Sequence, residues 1–359
     1  MKVLFRADSN KNIGMGHIMR CLSIADALSD IGDTCFFVTA DSNPVNLIKE
    51  RGYEALNLES DYSDTKDGID KLMMIIDSRK PDLIISDSYF VDNDYFGQLK
   101  CATRLAYLDD IFGFAYDTDI LINYNVYADE DVYRKLYLHD GNKRMPEMIL
   151  GPLYAPIRKE FFDVPIPSIK KDAKKVLVSV GGTDPLHMAK GFTDAIGKRK
   201  KLIERSEFIF VLGKMEPDLE EILKLSESNP WLTVKVNVKD MRSLMQSVDM
   251  AISAAGSTQY ELCACGVPSI NYSMADNQVP GGEAFGRSGL FSYAGDARNN
   301  VHFFDDDLNR TEAMLEDYDL RQQMSKRQRK LIDGNGAVRL ADKIHELIST
   351  VDMRITEER

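Results

Sequence analysis

The chain has 359 residues, 28% charged and 44% hydrophobic, with a formal net charge of −12 and an isoelectric point near 5.0. This length calls for two domains, and the acidic balance excludes a general nucleic-acid binder, which needs a basic face for phosphate. No apolar run approaches the roughly 20 residues that span a bilayer, so no membrane insertion is expected. "MKVLFRADSN" enters a strand directly, without the apolar core of a signal peptide. Five scattered cysteines, Cys21, Cys35, Cys101, Cys263 and Cys265, fit reduced thiols in a cytoplasmic protein.

The first strand, "KVLF", runs into a polar loop with Gly14 and Gly16, and a helix is predicted from about Ile18 to Leu28. "CFFVT", "YEALNL", "DLIIS", "RLAYLDD" and "DILINY" follow as strands, with helices at "NPVNLIKERG", "DGIDKLMMIIDS" and "DNDYFGQLK" between the earlier of them. This β-α alternation predicts a parallel sheet covered on both faces. The pattern pauses between about 127 and 172, where "MILGPLYAPIRKEFFDVPIPSIKKD" reads as a connection between domains. It resumes at "KKVLVSVGGTD" and continues through "EFIFVLG", "LTVKVNV", "MAISAAG" and "PSINYS"; the chain after about 303 reads as helical. The expected domains are 1–150 and 173–350, joined by 151–172.

Three strand-to-helix turns carry the candidate chemistry. In "NIGMGHIMR", Met19 stands three residues after Gly16, so the dinucleotide fingerprint G-x-G-x-x-G is absent. Gly14 and Gly16 allow a tight turn and a close ligand approach. His17 falls in the first turn of the helix, where the positive end of the dipole disfavours imidazolium. A neutral imidazole there can take a proton from water. In "VSVGGTDP", Gly181, Gly182 and Thr183 can line a diphosphate, although Gly-Gly turns are also common as plain turns. In "ISAAGSTQYELCACG", Ala255, Gly256, Ser257 and Thr258 form a small-residue turn at a helix start. Glu261, one turn in, can bind ribose hydroxyls or simply favour the helix N-terminus. Asn277 and Gln278 follow the next strand. Other strand ends carry Asp87, Ser88 and Tyr89, then Asp109 and Asp110, then Asn123 and Asn125; paired aspartates there suit acid-base work, a metal or ordinary capping.

Together the three turns look like a GT-B nucleotide-sugar enzyme. "KVLFRADSNKNIGMGHIMRCLSIADAL", "DLIISDSYF", "LDD", "LINYNVYA" and "GPLYAPIRKEF", in that order, resemble the pseudaminic acid pathway hydrolases. These are UDP-2,4-diacetamido-2,4,6-trideoxy-β-L-altropyranose hydrolases, with spore-coat polysaccharide proteins among their relatives. The resemblance implies an α/β chain of two Rossmann-like domains with parallel sheets facing across a cleft, the N-terminal one for sugar and catalysis and the C-terminal one for UDP. It implies His17 as the hydrolytic residue. It implies Tyr89 and Asn277 at the sugar and Gly182, Thr183, Gly256, Ser257 and Glu261 at the nucleotide. From their places at the strand ends and turns, Gly14, Gly16, Arg20, Asp87, Asp109, Asn125 and Gln278 are also expected at the sugar, the aspartates near 87 and 109–110 holding hydroxyls or supporting His17, and Gly181, Ala255 and Thr258 at the nucleotide. The partner is a small UDP-sugar, with no metal and no other cofactor. The chain departs from the family in reading Asp-Ser-Tyr where a histidine is expected between Asp and Tyr, and in helices after about 303. The competing expectations are a glycosyltransferase passing the sugar to an alcohol and a non-catalytic UDP-sugar sensor.

Overall fold

A computed structural model describes residues 1–10, 13–141, 144–182, 184–214 and 216–357, with side chains as far as residue 348. Two compact units emerge: Met1–Lys159 with Asn335–Arg359, and Glu160–Gly334. The first contains β1 (Lys2–Ala7), α1 (Gly16–Asp30), β2 (Thr34–Thr39), α2 (Val45–Glu50), β3 (Glu54–Asn57) and α3 (Ile69–Arg79). It continues with β4 (Leu83–Asp87), α4 (Asn93–Ala102), β5 (Arg104–Leu108), β6 (Ile120–Asn123), α5 (Glu130–Asp140) and β7 (Glu147–Leu150). Its sheet has the order β3-β2-β1-β4-β5-β6-β7, and every pairing is parallel. Strands such as β4 are buried along their whole length, which is why they read as continuous apolar runs rather than alternating ones.

The second unit contains β8 (Lys175–Ser179), α6 (Met188–Gly197), α7 (Lys200–Arg205), β9 (Glu207–Leu212), α8 (Leu219–Ser226), β10 (Leu232–Val236) and α9 (Met241–Ser247). It continues with β11 (Met250–Ala254), α10 (Thr258–Cys265), β12 (Ser269–Ser273), α11 (Val279–Arg287), β13 (Ser292–Asp296), α12 (Phe303–Glu316) and α13 (Tyr318–Leu331). Its parallel sheet has the order β10-β9-β8-β11-β12-β13. Val176, Val178, Phe208, Phe210, Ile252 and Ile270 form the centre of its core, with Phe192 of α6 and Phe303 of α12 packed on them.

The structure differs from the sequence reading in two places. The pause after residue 127 holds α5 and β7. Tyr133 and Tyr137, at i and i+4, are the buried residues of α5, most of whose other residues are charged or exposed, too narrow a stripe to announce a helix. The second domain was expected to reach residue 350, but α14 (Gly336–Glu357) belongs to the first unit and packs on α1. Gly336 permits this docking: a Cβ there would lie 2.2 Å from the carbonyl oxygen of Ala155.

Asp307 of α12 is 0% exposed, and its Oδ2 finds no partner among the described residues. Burial pushes its carboxyl up from 3.8 to about 7, with Thr311 opposing only weakly. The folded unit therefore binds a proton that the unfolded chain releases, so stability falls as pH rises from about 4 to 7 and stays reduced above. Three pH units correspond to at most about 4 kcal/mol. Asp307→Asn keeps the shape and removes the charge. It should raise the thermal midpoint by several degrees at pH 8 and leave it nearly unchanged at pH 4. A lower midpoint at pH 8 would contradict this account.

Candidate active site

In an open parallel sheet, ligands gather beyond the carboxyl ends of strands where the strand order reverses. In the first unit that point lies between β1 and β4, the neighbours from which the chain winds in opposite directions. After β1 the backbone folds back on itself, with the Gly14 amide donating to the Asn10 carbonyl at 2.8 Å. Gly14 sits at φ +71°, a left-handed conformation that glycine adopts without strain. α1 starts two residues later and places His17 in its first turn. Across the switch point, Asp87 ends β4 in register with Ala7 of β1.

The two side chains, 70 residues apart in sequence, meet: His17 Nδ1 lies 2.6 Å from Asp87 Oδ1. A carboxylate only accepts, so Nδ1 is the donor of this pair and Nε2 is the nitrogen left to act as a base. Arg20 lies one helical turn after His17 and therefore on the same face. Its Nε donates to Asp87 Oδ2 at 2.6 Å and its Nη2 to Asp87 Oδ1 at 2.5 Å. Nη2 is also 3.1 Å from His17 Nδ1; both atoms bear hydrogens, so that approach is a contact and not a hydrogen bond. Burial opposes the charge on Asp87, but Arg20 and then His17 outweigh it and hold the carboxyl well below the usual carboxylate range.

The remaining guanidinium nitrogen, Nη1, donates to Asp110 Oδ2 and to the Tyr124 hydroxyl, both at 3.1 Å. Tyr89 donates to the same Asp110 oxygen at 3.0 Å. Its ring meets the His17 ring edge-on, with centroids 4.7 Å apart. His17 is 5% exposed and Arg20 9%. The cluster thus presents one nitrogen base, oriented by a carboxylate and fenced by a tyrosine.

The structure redistributes several expected roles. Arg20, expected to meet the sugar, has its donors engaged by Asp87, Asp110 and Tyr124. Asp109 is also withdrawn: it is 3% exposed and accepts from the hydroxyls of Tyr116 and Tyr133 and from the amides of Ile111 and Phe112. Its neighbour Asp110 takes the place at the cluster. Asn125 is buried, with its side-chain amide 2.9 Å from Asn123 Oδ1. Tyr124 was missed in sequence, where it reads as one more apolar strand residue.

In the second unit the switch point lies between β8 and β11, and both glycine turns fall there. They differ in one respect. Asp184 accepts from the amides of Met188 and Ala189 at 2.9 and 2.7 Å, so the start of α6 already carries a carboxylate. α10 starts at Thr258 with no side-chain cap from Ser257. The Ala255–Thr258 turn therefore opens onto a helix start that Ser257 does not cap, although its Ala255 and Gly256 amides donate to the carbonyls of Tyr272 and Ala254. An amide relay supports it: Asn271 of β12 donates to Gln259 at 2.5 Å, and Gln259 donates to the Gly256 carbonyl at 3.3 Å. Gly181, at φ +98°, and Gly182 are exposed, and Thr183 lies outside the described residues. Glu261 stands half-buried in the first turn of α10. Asn277 is exposed in the turn after β12, whereas Gln278 Oε1 accepts from the Met274 amide at 2.9 Å and so serves its own turn.

No protein-family model matches the chain. It is 25% identical to the spore coat polysaccharide biosynthesis protein SpsG of Bacillus subtilis, over 97% of this chain and 98% of that protein. It is 27% identical to the UDP-2,4-diacetamido-2,4,6-trideoxy-β-L-altropyranose hydrolase of Campylobacter jejuni, over 72% of this chain and 86% of that enzyme. A third relative, an uncharacterised protein of Methanocaldococcus jannaschii, is 24% identical over 75% of this chain, which spans only 55% of its length. Among solved structures, the calicheamicin glycosyltransferase CalG4 matches with a TM-score of 0.64 at 16% identity, covering 97% of this chain and 98% of that one. Staphylococcus aureus MnaA, solved with UDP, matches with a TM-score of 0.65 at 13% identity, covering 97% of each. No helix among the described residues is long and apolar enough to cross a membrane. The chain has the two Rossmann-like units of a GT-B protein, and in sequence it resembles the UDP-diacetamido-trideoxy-altropyranose hydrolases and the spore-coat polysaccharide proteins.

Proposed function

We propose that the protein hydrolyses a UDP-linked 2,4-diacetamido-2,4,6-trideoxy sugar to UDP and the free sugar, with inversion, as a step toward a nonulosonic acid. The observation that carries the proposal is the His17–Asp87 pair at the switch point of the first unit, with the base on Nε2. Water bound at Nε2 gives up its proton to the imidazole while its oxygen forms the new bond to the anomeric carbon. The C1–O bond breaks through an oxocarbenium-like transition state, and its electron pair leaves on the β-phosphate of UDP. Asp87 stabilises the imidazolium that forms, as the aspartate of a Ser-His-Asp triad does. The uncapped start of α10 receives the diphosphate charge. In the first unit Tyr89 is assigned to the sugar, and in the second Gly182, Gly256, Ser257, Thr258 and Glu261 are assigned to the nucleotide.

The second reading is a glycosyltransferase. Exposed Met15, Phe90 and Ile111 favour it, because each lies next or next but one in the chain to His17, Tyr89 or Asp110 and an apolar rim suits an alcohol acceptor. In the hydrolytic reading the same rim meets the substrate's C6 and acetamido methyl groups. The readings separate in buffer without acceptor. The hydrolase releases UDP from UDP-2,4-diacetamido-2,4,6-trideoxy-altrose over many turnovers, with EDTA present. A protein that binds the compound and releases nothing until an alcohol is added would overturn the proposal.

A further inference from the structure

Arg20 is placed to control the charge of His17. A carboxylate hydrogen-bonded to an imidazole orients the ring but also favours its protonation. For a base that must accept a proton from water, the second effect is a cost, since imidazolium has no lone pair to offer. The guanidinium engages both oxygens of Asp87 and approaches Nδ1 to 3.1 Å, so a fixed positive charge sits beside both members of the pair. We propose that Arg20 is a positioning residue for His17: its fixed positive charge, held against Asp87 and beside Nδ1, offsets the pull of that carboxylate on the imidazole, so that Asp87 orients the ring without favouring its protonation. The inference deepens the hydrolytic reading and rests on it for the role of His17.

The surrounding groups leave this task to Arg20. From β4 comes Asp87, and from the following loop Tyr89, which donates to Asp110. From α1 comes Cys21, whose thiol lies 3.5 Å from Asp87 Oδ2 and is pushed well up by burial, so it is neutral. From the far side of Arg20 come Asp110 and Tyr124, and Tyr127 donates to the Asp110 carbonyl. Burial raises both of these phenols, so they too are neutral. Asp8, at the end of the first strand's side, is paired with Arg6 at 2.6 Å. Two carboxylates, Asp87 and Asp110, therefore stand against the single guanidinium of Arg20. Among the described residues no other Lys or Arg pairs with Asp87 or Asp110, so removing it leaves the imidazole facing their negative charge.

The test is the titration of His17 in the full chain without substrate, followed by imidazole nitrogen NMR and assigned among the five histidines by its loss in His17→Gln. In Arg20→Gln the His17 midpoint should rise by about one pH unit or more, because a neighbouring positive charge is removed from a poorly solvated site. Arg20→Lys, which keeps the charge and loses the two-pronged grip, should leave the midpoint close to that of the native protein. Should Arg20→Gln fail to fold, Asp87→Asn is compared with the Asp87→Asn/Arg20→Gln pair, in which Asp87 is no longer an orphaned carboxylate. The double variant should titrate at higher pH. An unchanged or lower midpoint on removing Arg20 in either comparison overturns the inference. Because no substrate is present, that result would leave the hydrolytic reading standing, and a failure of hydrolysis would leave the titration result standing.

Discussion

His17→Gln should slow UDP release at saturating substrate by about 10²–10⁴-fold, the range over which a positioned base contributes, while UDP still binds. The expectation follows from where the residue sits. The nucleotide is assigned to the turns of the second unit, and His17 lies in the first turn of α1, beside Asp87 of β4. Glutamine fills much of the same volume and has no basic nitrogen. The check is a turnover assay paired with a UDP titration by calorimetry. Loss of turnover with unchanged UDP affinity is the expected pattern. Unchanged turnover would remove His17 from the chemistry, and loss of UDP binding would mean that the substitution acted on the fold.

Asp87→Asn should be as damaging, for a different reason. The asparagine amide can present an N–H toward Nδ1, which then accepts instead of donating. The proton moves to Nε2 and the base is lost although every atom is nearly in place. The comparable change in a Ser-His-Asp triad costs about 10⁴-fold in turnover, and a loss of about 10³–10⁴-fold is expected here. The fold should suffer as well, because the buried Arg20 loses the charge of Asp87 and one of its two hydrogen bonds to that side chain, keeping the amide oxygen of the new residue, Asp110 and Tyr124. Breaking a buried ion pair on one side costs about 3–5 kcal/mol. Thermal unfolding and kinetics of the same variant check both halves. Full activity in Asp87→Asn would show that the tautomer is set by something other than this carboxylate.

Much of the architecture was legible because parallel strands buried on both faces read as short apolar runs, and glycine turns mark where each gives way to a helix. The position of His17 was legible for the same reason: a glycine turn at a strand end puts the histidine that follows it in the first turn of the next helix. What sequence does not carry is the direction of a side chain beyond the end of its strand. Asp109 and Asp110 are adjacent, and neighbours on an extended chain point to opposite sides. One turned into a nest of tyrosines and the other onto Arg20, and nothing local tells them apart. Arg20 was assigned to ligand because its partners come from β4, the β5–β6 loop and the residue after β6, up to 104 positions away. That the helices after about 303 include one returning to the first domain was an open reading of the sequence; where α14 docks, with Gly336 close against the Ala155 backbone, was not legible.

The central claim is that water bound at His17 attacks the anomeric carbon. It is tested most directly by following UDP-2,4-diacetamido-2,4,6-trideoxy-altrose in ¹⁸O-labelled water, without acceptor, by anomer-resolved NMR and mass spectrometry of both products. The account predicts the label in the free sugar and none in UDP, with the inverted anomer appearing first. Label in the phosphate of UDP, or retention at the anomeric carbon, would contradict it.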